Sequence, residues 1–348
     1  MSSIESLKNQ KSRWLLVAPV SGLVLTTVVN EEITINNITF VSSTRLPYVR
    51  KRLGFPITIN ELKKNRWEKV FFEKNSVYAI GTFGGAGFKT EEEFLKSVKD
   101  ELSIISLSQL GWGRRRNNAC LTISSEKSTG HLHYLMINVI KKSWMMHSEW
   151  TGRHGDLWLD SRWHNYHKFS FFYELIEVLK GNIKISEGWK CDIKNAALLA
   201  GESQATSDLT HAFLWNMIAI ETLLTHQGDS YSSALPKRVE AFIGWTTDWA
   251  LNDYENKIKE VYRKRCVFVH AGRSDEILIE DLLFTDNILN NIFRNILKHM
   301  DIFKSKEDLI GFSLKVEAEH VLGIKSKIRP KTVSFSKMIY NDKDYEKI

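Results

Sequence analysis

The chain has 348 residues, 43% of them hydrophobic and 26% charged, with 11 tryptophans, a composition that suits a globular protein of two ordinary domains and excludes wholesale disorder. A formal net charge of +7 and a pI of about 9.1 favour a polyanionic partner such as RNA without requiring one. The longest apolar stretches are too short and interrupted to span a bilayer, Met1–Arg13 lacks a signal-peptide core, and Cys120, Cys191 and Cys266 stand far apart, so the expectation is a cytoplasmic protein with no membrane contact and no disulfide frame.

In chain order, β-branched and alternating residues predict strands at Trp14–Val20, Leu23–Val29, Ile33–Phe40, Val70–Thr82, Cys120–Ser124 and Leu132–Val139. Asn36-Asn37 predicts a turn that folds Ile33–Phe40 into a hairpin, because asparagine tolerates positive φ. One helix interrupts the strands. Thr90 is placed to cap Glu91-Glu92-Glu93, and Phe94, Leu95, Val98, Leu102 and Ile105 form its buried stripe. From about Asp160 the periodicity turns helical, with helices expected at Arg162–Lys180 (closed by Gly181), Asp192–Ala200, Ser207–Thr225, Leu235–Trp245, Tyr254–His270 and Ile277–Phe303. The tail from Lys304 is charged, carries a short alternating piece at Val333-Ser334-Phe335, and is expected to pack loosely or on the first domain. The fold class is therefore α+β: a strand-rich domain over 1–155 and a helical domain over 156–348 with its core at about 205–303.

Several constellations invite chemical readings. Gly81–Thr90 looks like a phosphate-cradling loop, yet Phe88 intrudes between Gly87 and Lys89-Thr90, so a strand-to-helix turn fits better. Arg114, Arg115 and Arg116, beside Trp112, form a basic run suited to single-stranded RNA or simply to solvent. His131 with His133, and His164 with His167, have neither Cys nor carboxylate partners at metal-ligand spacing, so no metal and no cofactor is expected.

The most informative stretch is Arg265-Cys266-Val267-Phe268-Val269-His270. Ile258, Val261, Tyr262, Arg265, Phe268 and Val269 share one helical stripe, which puts Arg265 on or beside the core face. A guanidinium cannot shed its proton, and burying it unpaired is costly, so a carboxylate or a phosphate must meet it. Glu221 borders the apolar stripe of Leu214, Trp215, Ile218, Thr222 and Leu224, which makes it a candidate partner. Arg238 is a further charge among apolar neighbours, and Arg238, Arg265, Glu221 and His270 could gather in one polar cluster. Spacing alone leaves two readings open, an ion-pair network that fixes helix register or a catalytic site. Five helical residues turn through ~500° and rise ~7.5 Å, so Arg265 and His270 diverge by ~140° and would flank a phosphodiester rather than clamp one atom. Gly272 is expected to end the helix and leave His270 at its edge.

With Ala219–Leu224, Leu235-Pro236-Lys237-Arg238-Val239 and Val261–His270 in this order, the helical half resembles the ApeA-like branch of the HEPN superfamily over about residues 205–300. The position after the arginine, usually polar in such domains, is Cys266. The resemblance implies an all-α HEPN-like bundle that pairs as a homodimer and works as a metal-independent endoribonuclease. His270 would serve as general base or acid, Arg265 would stabilise the phosphorane, and Glu221 would orient Arg265 or join the site. Lys237, Arg238, Arg263 and Lys264 would join Arg114–Arg116 in holding RNA. Relatives of this kind act in phage defence and toxin systems, often on transfer RNA, which implies a phage-derived trigger or an inhibitor. The alternative is a non-catalytic helical module that binds RNA or protein, with a structural Arg-Glu-His cluster.

Overall fold

A computed structural model describes residues 13–54, 58–63, 72, 76–84, 87–113, 115–123, 131–138, 143–150, 155–243 and 253–323. The Val333–Phe335 piece lies outside the described residues. The chain divides into two compact units, Met1–Leu102 with Arg116–Asn165, and Ser103–Arg115 with Tyr166–Ile348. The sequence reading drew one cut near residue 155; this division instead gives the thirteen residues Ser103–Arg115 to the helical unit. The α+β class stands.

The first unit is built on a five-stranded antiparallel sheet. It contains β1 (Arg13–Ser21), β3 (Glu32–Thr34), β4 (Thr39–Ser42), β5 (Val77–Gly84) and β6 (Thr122–Ile123), in the order β3-β4-β5-β1-β6. A short β2 (Leu23–Leu25) pairs in parallel with β9 (Leu157–Leu159), and β7 (His131–Asn138) forms a hairpin with β8 (Ser143–Trp150). Two short helices, α1 (Leu46–Arg52) and α2 (Ile59–Leu62), lie between β4 and β5. Val41, Leu46, Val49, Tyr78 and Ile80 form a core cluster, with Leu15, Val17, Leu53 and Phe72 packed on it.

The hairpin at Asn36-Asn37 forms, with Thr34 opposite Thr39, but for a different physical reason than positive φ. Among the described non-glycine residues positive φ falls at Asn30, Glu31 and Asp253. The turn is held instead by the buried Glu101 carboxylate, which accepts the backbone N–H groups of Asn36 (3.1 Å), Asn37 (2.8 Å) and Ile38 (3.1 Å). Glu101 sits on α3 (Gly87–Leu107), whose Phe94, Val98, Leu102 and Ile105 are buried at the expected spacing. The helix starts at Gly87 rather than at Glu91, so Thr90 lies inside it, buried, rather than at its cap.

The helical unit takes up the last turns of α3. Gly201 on α6 (Glu187–Ala205) lets this segment come close: a Cβ there would stand 1.9 Å from the Ser103 carbonyl oxygen. Ser103 Oγ also donates to the Leu198 carbonyl at 2.8 Å. The helix expected over Arg162–Lys180 is split into α4 (Ser161–His167) and α5 (Phe172–Leu179). Lys298 Nζ claims the Phe169 carbonyl at 2.7 Å, an acceptor that a continuous helix would use internally, and Phe171 stacks on Phe293.

α7 (Leu209–Leu224) is capped by Asp208, whose carboxylate accepts the His211 N–H at 2.9 Å. α8 (Tyr231–Ile243) and α9 (Tyr254–Ala271) follow, and Gly272 closes α9 at φ +66 with its N–H on the Phe268 carbonyl. α10 (Ile279–Lys298) is buried on nearly every side and packs against α7, α8 and α5. The tail reading is corrected by α11 (Lys306–Leu322), which packs within the helical unit through Leu309, Phe312 and Val316; Phe312 meets Phe242 and Phe303. Its apolar residues at i, i+3 and i+7 supply a core stripe that the surrounding charges obscure in the sequence. Among the described residues, no helix is long and apolar enough to cross a membrane.

Candidate active site

The apolar stripe of α9 is core only in its first half. Tyr254, Ile258 and Val261 are buried, whereas Tyr262, Arg265, Cys266 and Phe268 are half-buried and Val269 is 47% exposed. Arg265 therefore sits where the helix leaves the core, and α7 supplies its counter-charge there. Arg265 Nη2 donates to Glu221 Oε2 at 3.0 Å, with side-chain exposures of 19% and 7%. The pair is one-sided. Glu221 Oε1 and Arg265 Nε are buried and have no hydrogen-bond partner among the described residues. Burial pushes the Glu221 carboxyl above its ordinary range, and the Arg265 guanidinium pulls it only part of the way back.

His270 occupies the last turn of α9, exposed, and makes no hydrogen bond or ion pair with the described residues. Tyr262, one turn before Arg265, completes this face. Its phenol is pushed up to about 12, by burial first and then by Cys266 and the charge of Glu221. Its ring meets Tyr231 edge-on at 6.4 Å. Toward the other end of α7, His211 Nδ1 lies 3.0 Å from Asp208 Oδ2, and the imidazole contacts Trp215 and Phe268. Asp208 is held below the usual carboxylate range, chiefly by the His211 backbone N–H.

The expected single cluster does not form, because Arg238 belongs elsewhere. It donates to Asp229 at 2.6 and 3.1 Å and to the Leu224 carbonyl at 2.7 Å, tying α8 to the loop after α7. The Arg238 hydrogen bond holds Asp229 below the ordinary aspartate range. The other cations proposed to hold RNA on this unit are likewise engaged by the chain's own carboxylates. Lys237 pairs with Glu317, Arg263 with Glu260 and Glu276, and Lys264 with Asp281 at 2.8 Å.

Arg115 departs furthest from the sequence reading. It is 2% exposed rather than a surface cation, with Nη1 on the Asp286 carboxylate at 2.6 Å and Nη2 on Ser203. Gln204 and Asn216 donate to the same carboxylate, at 2.9 and 2.8 Å. A group so enclosed offers nothing to a phosphate. Arg114 lies outside the described residues, as does the Arg116 side chain. Sequence reasoning missed Asp286, Asp229 and Tyr262. A signal existed for Asp286 in the stretch Thr285 to Asn295, where Asp286, Asn287, Asn290, Asn291 and Asn295 recur among apolar residues; all five are buried.

The arrangement offers one partly satisfied guanidinium, a buried carboxylate with a spare oxygen, a protonated phenol and an exposed imidazole, all on or against α9. Among the described residues, no group of three or more His, Cys, Asp or Glu side chains is gathered as a metal site would need. No protein-family model, curated protein or solved structure matches the chain.

Proposed function

We propose that the protein is a metal-independent endoribonuclease of HEPN type, active as a homodimer through its helical unit and serving phage defence or a toxin system, with transfer RNA among its targets. The observation that carries this reading is the half-made Arg265–Glu221 pair on the helix whose last turn presents His270, exposed and without a hydrogen-bond or ion-pair partner among the described residues. A purely structural ion pair would be expected to use both edges of a buried guanidinium. In the proposed reaction His270 removes the ribose 2′-OH proton, and the 2′-oxygen attacks the adjacent phosphorus. Arg265 stabilises the charge on the phosphorane; the 5′-oxygen leaves with a proton taken from water, and the His270 imidazolium returns its own to solvent. The products are a 2′,3′-cyclic phosphate and a 5′-OH end, and DNA, which lacks the nucleophile, is inert.

A second reading, a non-catalytic RNA- or protein-binding module, is favoured by one observation. Lys237, Arg238, Arg263 and Lys264 are all engaged by carboxylates of the chain itself, which leaves less positive charge for a nucleic acid and so favours the protein-binding form of this reading. Incubating total and transfer RNA with the purified protein in EDTA, alongside His270→Ala, tests the first reading. Cleavage by the wild type alone, leaving cyclic phosphate ends, supports it. RNA binding without cleavage at any protein concentration supports the second.

A further inference from the structure

We propose that Tyr262 is a positioning residue of this site: its phenol takes over the Glu221 carboxylate when Arg265 swings away to meet a phosphate. The inference rests on the reading of Arg265 as a phosphate-binding group, and it answers a difficulty which that reading creates. Glu221 is buried and its Oε2 is held by Arg265. Were Arg265 to leave without replacement, an ionised carboxylate would remain enclosed and uncompensated, and that penalty would oppose substrate binding. A second donor must therefore stand within reach of Glu221.

Tyr262 satisfies the requirement by position and by chemistry. It lies three residues before Arg265, so its side chain leaves α9 only ~60° around the helix from the arginine, on the same half-buried face. Glu221 Oε1, enclosed and without a hydrogen-bond partner among the described residues, is the acceptor that a phenol would use. Burial first, with the charge of Glu221 adding to it, pushes the Tyr262 phenol up to about 12, so it remains a donor throughout the neutral range. Its other neighbour is the Cys266 side chain, one turn on. An ionised carboxylate is a strong acceptor, so a phenol–carboxylate hydrogen bond is favourable once the carboxylate loses its guanidinium. No covalent bond forms or breaks.

The decisive measurement is thermal unfolding of the full chain for Tyr262→Phe, made in the wild-type background and in Arg265→Met, with Arg265→Gln as a second background should Arg265→Met fail to fold. The expected result is a Tm loss at least about twice as large when Arg265 is absent, because only then does the phenol carry Glu221. Equal losses in the two backgrounds overturn the proposal. RNA cleavage supplies a readout that mere packing would not move. Tyr262→Phe should raise KM about tenfold or more with kcat within about twofold of wild type; unchanged KM in an active enzyme overturns the proposal. Absence of cleavage by the wild type removes the ribonuclease reading instead, and the thermal comparison, which needs no RNA, still decides whether Tyr262 takes up Glu221.

Discussion

Arg115 and Asp286, 171 positions apart, form an ion pair at 2.6 Å in which both side chains are almost wholly enclosed. Gln204 and Asn216 donate to the same carboxylate and Ser203 accepts from the guanidinium, whose buried Nε has no partner among the described residues. Desolvating two charges is costly, so the pair adds less to stability than its Coulomb attraction suggests, but removing one member strands the other. Asp286→Ala or Arg115→Ala is therefore expected to destabilise the protein by about 3–5 kcal/mol. The double replacement Arg115→Met with Asp286→Leu should cost clearly less than the sum of its single replacements. Urea unfolding of the four proteins checks this, and strict additivity would show that the two charges do not depend on one another.

Glu221→Ala removes the counter-charge of a half-buried guanidinium and leaves a small void. The expected loss is about 2–4 kcal/mol, below that for Asp286 because Arg265 retains some access to water. A change within about 0.5 kcal/mol in denaturant unfolding would mean that the Arg265–Glu221 contact carries no stability.

His270→Ala should leave unfolding within about 0.5 kcal/mol of wild type, since the imidazole is exposed at a helix end that Gly272 already closes. Under the ribonuclease reading the same variant loses RNA cleavage. Joint loss of fold and activity would place His270 in the scaffold instead.

The pH dependence separates Glu221 from the other carboxylates. Its pKa is raised above 4.5 on folding, so the folded state binds a proton over a range where the unfolded chain does not. Stability from this group therefore rises as pH falls from the raised value toward 4.5, and is lost as pH climbs back. Asp229 and Asp208, lowered from 3.8, act in the opposite sense: their contribution is present above 3.8 and disappears in more acidic solution. The Tm difference between wild type and Glu221→Gln should thus move in favour of wild type as pH falls from neutrality toward 4.5. A difference that is flat, or moves the other way, contradicts the burial-dominated environment assigned to Glu221.

Gly201→Ala would drive a methyl group into the Ser103 carbonyl, a backbone contact that cannot rotate aside. A loss of about 3 kcal/mol or more is expected, by the mechanism of overpacking. Gly113→Ala, where a Cβ meets nothing within 4 Å, serves as the control in the same thermal assay.

Local rules made parts of this molecule readable. The 3.6-residue stripe of α9, the closing Gly272 and the Glu221–Arg265 pairing all follow from periodicity and the cost of an unpaired guanidinium. What escaped was decided by distant partners. Arg115 reads as a surface cation because its carboxylate lies on α10; Arg238 reads as a site residue until Asp229 is seen to hold it. The break between α4 and α5 depends on Lys298, more than a hundred residues downstream, and the hairpin at Asn36-Asn37 depends on Glu101 rather than on asparagine's own preferences. A charge announces in the sequence that it needs a partner, but not which one.

The Glu101 bridge also bears on the order in which the molecule can be made. As the chain emerges from the ribosome, the amides of residues 36 to 38 are exposed well before the carboxylate that will receive them, which lies 63 to 65 positions further on. Until then water must serve those three N–H groups, and the hairpin remains marginal on its own. Synthesis of α3 both delivers a helix and locks a loop laid down far earlier, so the hairpin is secured only once the chain has been made as far as Glu101.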